Sequence, residues 1–168
     1  NVDFTLKSGE IRALIGANGA GKSTLMKILA GVNPSYEGKL YMDKSEIEIR
    51  NPREAKKNGI EIVYQEVDIA LIPHLTVAEN IMLNSIVNKM GKKQWINWKK
   101  IKEDSNKILK KINIPIDVNK RVNELTLAQK QIVLIARAIA EKCKFMILDE
   151  PTAPLSENET KELFGIIR

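Results

Sequence analysis

The segment Gly16–Thr24 reads G-A-N-G-A-G-K-S-T, and it leaves few choices for the fold around it. It fits the pattern G-x-x-x-x-G-K-[ST], whose fixed positions here are Gly16, Gly21, Lys22 and Ser23. Because the apolar run 11–15 comes directly before it, we expect a short buried strand, a glycine-rich turn and a helix that begins near Gly21. Several backbone N–H groups would then be unpaired and directed at one point, which predicts an anion site.

The residue types in this loop indicate that the anion is a nucleotide phosphate. Glycines let the backbone approach phosphate closely and adopt positive φ values. The ammonium of Lys22 would reach the β- and γ-phosphates, and the hydroxyl of Ser23 would be a ligand of Mg²⁺. The alternative is a glycine-rich turn that only joins a strand to a helix. We disfavour it because the motif is specific when it lies between a strand and a helix.

Two carboxylates follow a second apolar run. Phe145–Leu148 is apolar throughout, and Asp149 and Glu150 come next, which is the pattern of a central strand whose end carries charge into a site. Asp149 would hold the Mg²⁺ shell, and Glu150 would orient or deprotonate water beside the γ-phosphate. The alternative, in which both acids cap the following turn, is disfavoured in a chain that already has a phosphate loop.

The remaining patterns predict an α/β fold. A strand over 60–64 places Gln65 at its carboxyl end, where ligands bind in open α/β sheets, so we expect Gln65 to face the same site as Lys22. Short strands over 39–41 and 47–49 would form a small antiparallel layer, and Pro52 would open a short helix. Three capping boxes, at Thr76, Thr126 and Ser156, predict helix starts, and a further helix is expected over 98–111.

Positive charge is concentrated in the stretch 84–111. It holds nine lysines against Glu103 and Asp104, in a chain whose net charge is +6. Together with Trp95 and Trp98, these lysines allow a nucleic-acid or lipid-headgroup patch. We favour a solvated helical face with the tryptophans as anchors, because the stretch has no arginine to supply planar phosphate-binding forks. No nucleic-acid partner is therefore expected.

Composition bears on the compartment and on the cysteine. Cys143 is the single cysteine, so no internal disulfide can form, and the thiol is expected to have a packing role far in sequence from the only histidine, His74. The sequence shows no signal-peptide pattern and no apolar run long enough to cross a bilayer. We expect a cytosolic domain whose contact with a membrane is made through a partner.

Four segments, in their order and separation, resemble the ATP-binding subunit of an ABC transporter: G-A-N-G-A-G-K-S-T, V-Y-Q-E, L-T-L-A-Q-K-Q and M-I-L-D-E-P-T-A. Two segments are similar in sequence to the branch that imports monosaccharides such as ribose, xylose and galactosides. They are N-P-R-E-A-K-K-N-G-I-E-I-V-Y-Q-E and H-L-T-V-A-E-N-I-M-L. The resemblance implies a P-loop NTPase fold: a RecA-like core sheet with a small antiparallel layer, over 1–75 and 141–168, and a helical subdomain over 76–140.

The resemblance also implies the site and its cofactors, ATP and Mg²⁺. By the family pattern Gln65 belongs to the Q-loop, Leu125–Gln129 to the signature, and Asp149 and Glu150 to Walker B. Catalysis would fall to Glu150 and Gln65. Magnesium would be held by Ser23, Gln65 and Asp149. The nucleotide would be bound by Gly16, Asn18, Gly19, Ala20, Gly21, Lys22, Ser23 and Thr24, and across a domain interface by Thr126 and Gln129.

The implied function is ATP hydrolysis that energises sugar import at the cytoplasmic face of the cell membrane. The implied partners are a second ATPase domain, in the same chain or another copy, and permease subunits that dock near Gln65 and the helical subdomain. A sugar-binding protein would act indirectly. Two other functions stay open: a soluble ABC-type factor acting on ribosomes or nucleic acid, and a nucleotide-binding module without turnover.

The sequence departs from the family pattern in three places. Leu127 and Ala128 stand where the signature usually has two glycines, so we expect weakened engagement of phosphate there. The strand that ends in the switch histidine and the aromatic residue that stacks on adenine are both missing. We therefore expect the 168 residues to be a fragment, an N-terminal ATPase half that is weak or inactive by itself and has a gap in its central sheet.

Overall fold

The computed structural model describes residues 2–63, 67–92, 94–153 and 155–167. Their helices and strands follow in chain order as α1 (Lys22–Leu29), β1 (Leu40–Met42), β2 (Ser45–Ile47), α2 (Pro52–Lys57), β3 (Ile60–Val63), α3 (Val67–Ala70), α4 (Val77–Ile81), α5 (Leu83–Gly91), α6 (Trp98–Lys111), a 3₁₀ turn (Val122–Glu124), α7 (Leu127–Ala140), β4 (Phe145–Leu148) and α8 (Glu157–Ile167).

The two predicted core strands pair with each other. β3 and β4 run parallel, with a register from Ile60 opposite Phe145 to Val63 opposite Leu148. Since side chains alternate along a strand, the two faces of the pair belong to different apolar clusters. The first cluster contains Ile60 and Ile147, with Met26 and Leu29 of α1 packed against it. The second contains Val63 and the buried side chains of α4, α6 and α7. This arrangement is the expected α/β layering.

The small antiparallel layer is present, although its bounds differ from the predicted 39–41 and 47–49. β1 and β2 pair with Leu40 opposite Ile47 and Met42 opposite Ser45. The two residues between them, Asp43 and Lys44, both have positive φ, at 51° and 67°. A two-residue hairpin turn with positive φ at both positions matches the twist of the strands, so the second strand begins immediately after Lys44.

The prediction of a buried strand over 11–15 is wrong. No strand is formed there or over 2–6 in the described part of the chain, and Ile11 and Ile15 are 63% and 90% exposed. Apolar periodicity indicates that a segment suits a sheet, but a strand also needs a hydrogen-bonded neighbour. β3 and β4 are paired with each other, and neither pairs with this run.

The helices follow their capping signals closely. The capping boxes at Thr76 and Thr126 are both complete, and Ser156 and Glu159 exchange the same reciprocal hydrogen bonds. The helix that begins after Thr76 is interrupted at Met82, which separates α4 from α5. The predicted helix over 98–111 is confirmed, and Asn97 caps it by accepting a hydrogen bond from the N–H of Lys100.

In the lysine-rich stretch, the outward face is confirmed, but the predicted anchoring role of the tryptophans is not. Its lysines do lie outward on α6, whose buried residues are Ile101, Ser105 and Leu109. The tryptophans, however, do not both act as anchors: Trp95 is 98% exposed and Trp98 is 49% exposed. The buried face of α6 is formed by two aliphatic side chains and Ser105, and Trp95 lies outside the core.

A partly buried polar network joins α7 to α4 and to the segment that precedes α4. The guanidinium of Arg137 donates to the carbonyl oxygens of Asn80, at 2.7 Å, and Ala70, at 2.8 Å, and to Asn80 Oδ1 at 3.0 Å. The side chain of Asn80, fully buried, also bonds both backbone groups of Ile72. On the surface, Lys130 of α7 pairs with Asp68 of α3 at 2.7 Å. α7 is therefore joined to the segment 68–80 at several points.

The glycine that ends α1 lies against the start of α2. Gly31 has a φ of +72°, and a Cβ added there would lie 2.3 Å from the carbonyl oxygen of Asn51. We expect Gly31→Ala to lower the free energy of unfolding by about 2 kcal/mol, because both the left-handed backbone and the close approach oppose a side chain. Gly9→Ala is the matched control, since Gly9 has a similar φ, +76°, and open space around it. Chemical denaturation of the two variants measures the difference, and equal losses would contradict the close approach.

Candidate nucleotide site

The phosphate loop leads into the start of α1. Gly21 is the N-cap of this helix and has a φ of 84°, Gly19 has a φ of 83°, and no side chain caps the helix. The left-handed conformation that these two positions need is available to glycine at little cost. The uncapped first turn of α1 leaves backbone N–H groups exposed beside the loop. Such a terminus attracts an anion through its donors and through the helix dipole.

The ammonium of Lys22 lies inside the loop. Its Nζ donates to the carbonyl oxygens of Gly16, at 2.6 Å, and Ala17, at 2.9 Å. The backbone closes around it, because the N–H of Ala20 donates to the same Ala17 oxygen at 3.2 Å. The positive charge is thus held at the loop that precedes the helix terminus. The side chains of Asn18, Ser23 and Thr24 are exposed.

The two Walker B carboxylates differ in their surroundings. Asp149 is half-buried, and its N–H donates to the carbonyl oxygen of Val63 at 3.1 Å, so it extends the parallel ladder beside the end of β3. Glu150 is exposed and has a φ of 45°. Positive φ is uncommon for a residue other than glycine and is found at strained functional positions. The sequence did not predict this conformation.

Gln65 lies outside the described residues, together with Tyr64 and Glu66. Its predicted position, just beyond the end of β3, therefore stays a prediction. The described neighbours of this segment are Val63, which Asp149 contacts through the ladder bond, and Val67, the first residue of α3.

The signature residues meet at the start of α7. Thr126 Oγ1 accepts a hydrogen bond from the N–H of Gln129 at 3.3 Å, and Gln129 Oε1 accepts one from the N–H of Thr126 at 3.2 Å. Leu127 packs against the larger apolar cluster, and Ala128 is buried. Within residues 2–63, 67–92, 94–153 and 155–167, no hydrogen bond joins Thr126 or Gln129 to the phosphate loop. The chain thus carries two separate groups of predicted nucleotide-binding residues.

Sequence reasoning missed a cavity of about 220 Å³ that separates β3 from α7. Its lining includes Ile62 of β3, Leu134 and Arg137 of α7, Ala70 of α3 and Ala30 after α1. Burial lowers the pKa of the Arg137 guanidinium from its usual value, while the charges of Glu61 and Glu141 act in the opposite direction. A charged residue inside the apolar pattern 132–139 was the available signal in the sequence.

Among the residues with described positions, no group of three His, Cys, Asp or Glu side chains is arranged to hold a metal ion. Within the same residues, no helix combines the length and the apolar character that a membrane span requires.

Burial raises the pKa of the Cys143 thiol from its usual value, which is typical of a packing role rather than of a reactive thiol.

The fold and the loop geometry define this domain as a P-loop NTPase of the α/β class. The family model described as "ABC transporter" matches residues 1–153. The chain therefore belongs to the ABC transporter family.

Curated relatives agree with this assignment. The chain is 44% identical over 168 residues to the ribose import ATP-binding protein RbsA of Caldanaerobacter subterraneus subsp. tengcongensis, covering 100% of this chain and 33% of that protein. It is 42% identical over 169 residues to the xylose import ATP-binding protein XylG of Geobacillus kaustophilus, covering 99% of this chain and 32% of that protein. The chain thus spans about one third of the length of these relatives.

Solved structures show the same fold. The cbiO1 protein of Clostridium perfringens, part of the ABC transporter complex cbiONQ, superposes with a TM-score of 0.81 at 27% identity, covering 99% of this chain and 64% of that one. A dimeric ATP-binding cassette in a post-hydrolysis state, bound to ADP and Pi, superposes with a TM-score of 0.75 at 26% identity, covering 99% of this chain and 72% of that one.

Proposed function

We propose that this chain is the ATP-binding and ATP-hydrolysing part of an ABC transporter that imports a sugar. The observation that carries the nucleotide role is the uncapped start of α1 at Gly21, with the Lys22 ammonium held in the adjoining loop. The sugar role rests on the relatives, which are named as ribose, xylose and L-arabinose transport proteins. The identity of the sugar would be set by subunits other than this one.

The donor set in the chain fits Mg²⁺ bound together with ATP. A site made entirely of protein ligands is not needed, because Mg²⁺ is usually held by one or two carboxylates or hydroxyls and by the substrate phosphates. Ser23, Asp149 and Gln65 are the residues proposed to hold it, and Asp149 is fixed beside β3 by its ladder bond. When bound, the ion would neutralise charge that develops on the phosphates.

We assign the remaining roles from the positions of the described residues and from the family pattern. Lys22 would exchange the carbonyl oxygens of Gly16 and Ala17 for phosphate oxygens as the nucleotide enters the loop. The backbone from Gly16 to Thr24, including Asn18, Gly19 and Ala20, would line the phosphates. Glu150, exposed and in a strained conformation, would accept a proton from the attacking water or orient it. Gln65 would help to hold the water and the metal.

A second ATPase domain would complete the site. Thr126 and Gln129 lie at the N-terminus of α7, which could meet a γ-phosphate bound to the phosphate loop of the partner domain. The dimeric relative supports an arrangement in pairs. We propose that each phosphate loop is covered by the partner's signature helix, in a second copy or a second half of one polypeptide.

The permease is the second partner that we propose for this domain. The cavity between β3 and α7 adjoins α3, the helix that follows Gln65, and combines apolar walls with Lys56, Glu61 and Arg137. We propose that a permease segment docks near this cavity, so that the domain is held at the cytoplasmic face of the membrane. Residues 1–75 and 141–168 would act as the ATPase core, and 76–140 as the helical subdomain. An external sugar-binding protein would act through the permease.

The chemical role of Glu150 can be tested by Glu150→Gln. We expect ATP hydrolysis to fall about a hundredfold, because an amide cannot accept the proton that a general base removes. Binding of Mg-ATP should be retained, and size-exclusion chromatography with ATP should show more of the paired form, since bound ATP persists. Glu157→Gln, an acidic position in the first turn of α8, is the matched control. A wild-type chain that binds Mg-ATP and never hydrolyses it, even when paired with a second ATPase domain, would instead favour the module without turnover.

A further inference from the structure

The proposed ATPase function makes no use of the basic stretch that contains α5 and the start of α6. Residues 80–102 contain six lysines and no acidic residue. Four large apolar side chains in the same stretch are exposed: Val87 by 56%, Met90 by 62%, Trp95 by 98% and Trp98 by 49%. Exposed apolar groups that lie together within a rim of polar residues mark sites of protein or membrane interaction, whereas single exposed apolar residues are ordinary.

Hydrogen bonds fix the described backbone near Gln94 and at the start of α6. The N–H of Gln94 donates to the carbonyl oxygen of Lys89 at 2.9 Å, and Asn97 caps α6 through the N–H of Lys100 at 3.0 Å. The hydroxyl of Ser105, fully buried, donates to the carbonyl oxygen of Ala78 at 3.3 Å. Because α6 is fixed on that side, its exposed lysines are directed away from the apolar cluster.

We propose that this surface binds the anionic surface of a lipid bilayer directly. We define the Lys–Trp patch by its eight described residues: Val87, Lys89, Met90, Lys92, Trp95, Trp98, Lys99 and Lys100. The indoles and the two aliphatic side chains would enter the headgroup region, where the amphipathic indole is favoured. The four ammonium groups would lie among anionic headgroups, to which basic segments are attracted.

The composition of the patch favours lipid over nucleic acid. It has no arginine, the residue whose planar fork suits phosphate and base edges, whereas lysine near tryptophan suits the headgroup layer of a membrane. Val87 and Met90 lie three residues apart on α5 and so share one face of the helix. Nucleic acid has no apolar layer that would cover such a face. The inference is independent of the ATPase proposal, because it concerns lipid alone and needs neither permease nor nucleotide.

The fluorescence of the chain reports on this contact, since its only two tryptophans both lie in the patch. We expect the emission to shift to shorter wavelength when the chain is mixed with vesicles of phosphatidylglycerol and phosphatidylcholine. Vesicles of phosphatidylcholine alone should leave it unchanged, and added salt should reverse the shift. Trp98→Phe, which leaves Trp95 as the single reporter, should keep the shift.

Two matched sets of substitutions separate the patch from general positive charge. Glutamine at Lys89, Lys92, Lys99 and Lys100 should weaken vesicle binding about tenfold or more. Glutamine at four exposed lysines elsewhere, Lys27, Lys57, Lys142 and Lys161, makes the same change in net charge and should weaken it much less. Trp95→Ala should also reduce binding, measured by co-sedimentation, and circular dichroism confirms that each variant is folded.

Three results would overturn the inference. The first is a tryptophan emission wavelength that does not change when anionic vesicles are added. The second is an equal loss of binding in the two lysine sets, which would show non-specific adhesion of a basic protein. The third is a shift with polyuridylic acid and none with vesicles, which would assign the patch to nucleic acid. Failure of the ATPase proposal would leave all of these readings unchanged.

Discussion

Lys22→Ala is expected to reduce ATP hydrolysis about a thousandfold and to abolish the stabilisation of the chain by Mg-ATP. The ammonium is the only side-chain cation that the structure places in the described phosphate loop, where it bonds the carbonyl oxygens of Gly16 and Ala17. Removing a preorganised group that stabilises developing phosphate charge costs two to three orders of magnitude in rate. Loss of ground-state binding adds to this effect.

Thermal melting with and without Mg-ATP measures the binding part. A ligand that binds only the folded state adds about 2.7 kcal/mol to the free energy of unfolding at a hundredfold excess over its dissociation constant. In a chain of this size this raises the melting temperature by about 5 to 10 °C. The control is Lys27→Ala, an exposed lysine in the last turn of α1, which should keep the shift. A shift that survives in Lys22→Ala would place the nucleotide elsewhere and refute the assignment of the loop.

Arg137→Met is expected to lower the free energy of unfolding by about 3 kcal/mol. The substitution removes the donors from three acceptors, the carbonyl oxygens of Ala70 and Asn80 and the side-chain oxygen of Asn80. A buried acceptor left without a donor destabilises the folded state by its desolvation penalty, which is about 1 to 3 kcal/mol for each group. Methionine keeps much of the apolar volume, so the loss reports the hydrogen bonds more than a cavity.

Chemical denaturation measures this change, with two variants as controls. Arg53→Met removes an exposed arginine from α2 and should change the stability by less than about 0.5 kcal/mol. Arg137→Lys keeps the charge but cannot present donors in a planar fork, and an intermediate loss is expected. If Arg137→Met were as stable as Arg53→Met, the network between α7 and the segment 70–80 would not be a determinant of stability.

Local signals in the sequence were enough to predict most elements. The capping boxes at Thr76 and Thr126 and the run 145–148 each depend on neighbours within a few residues, and each is found where it was predicted. The phosphate loop is also local, because positive φ at Gly19 and Gly21 is a property of the loop itself. The family followed from such motifs, since their order and spacing are written in the chain.

Features that depend on distant partners were not predictable in this way. The run 11–15 has the composition of a core strand, yet it forms no strand, because formation of a strand depends on a neighbouring strand that pairs with it. Trp95 is a large apolar side chain of the kind that anchors a helix to a core, yet it is exposed, and residues of α6 occupy the buried positions instead. The network of Arg137 and the pairing of Asp149 with Val63 join residues more than fifty positions apart, so no local pattern could reveal them.

The sequence by itself determined the phosphate loop, the helix starts and the residues available for nucleotide chemistry, because these depend on backbone preferences over one or two turns. Only the tertiary structure decided the parallel register of β3 and β4, the attachment of α7 through Arg137 and the exposure of the Lys–Trp patch. The physical reason is that burial and pairing depend on what the rest of the chain brings alongside each segment.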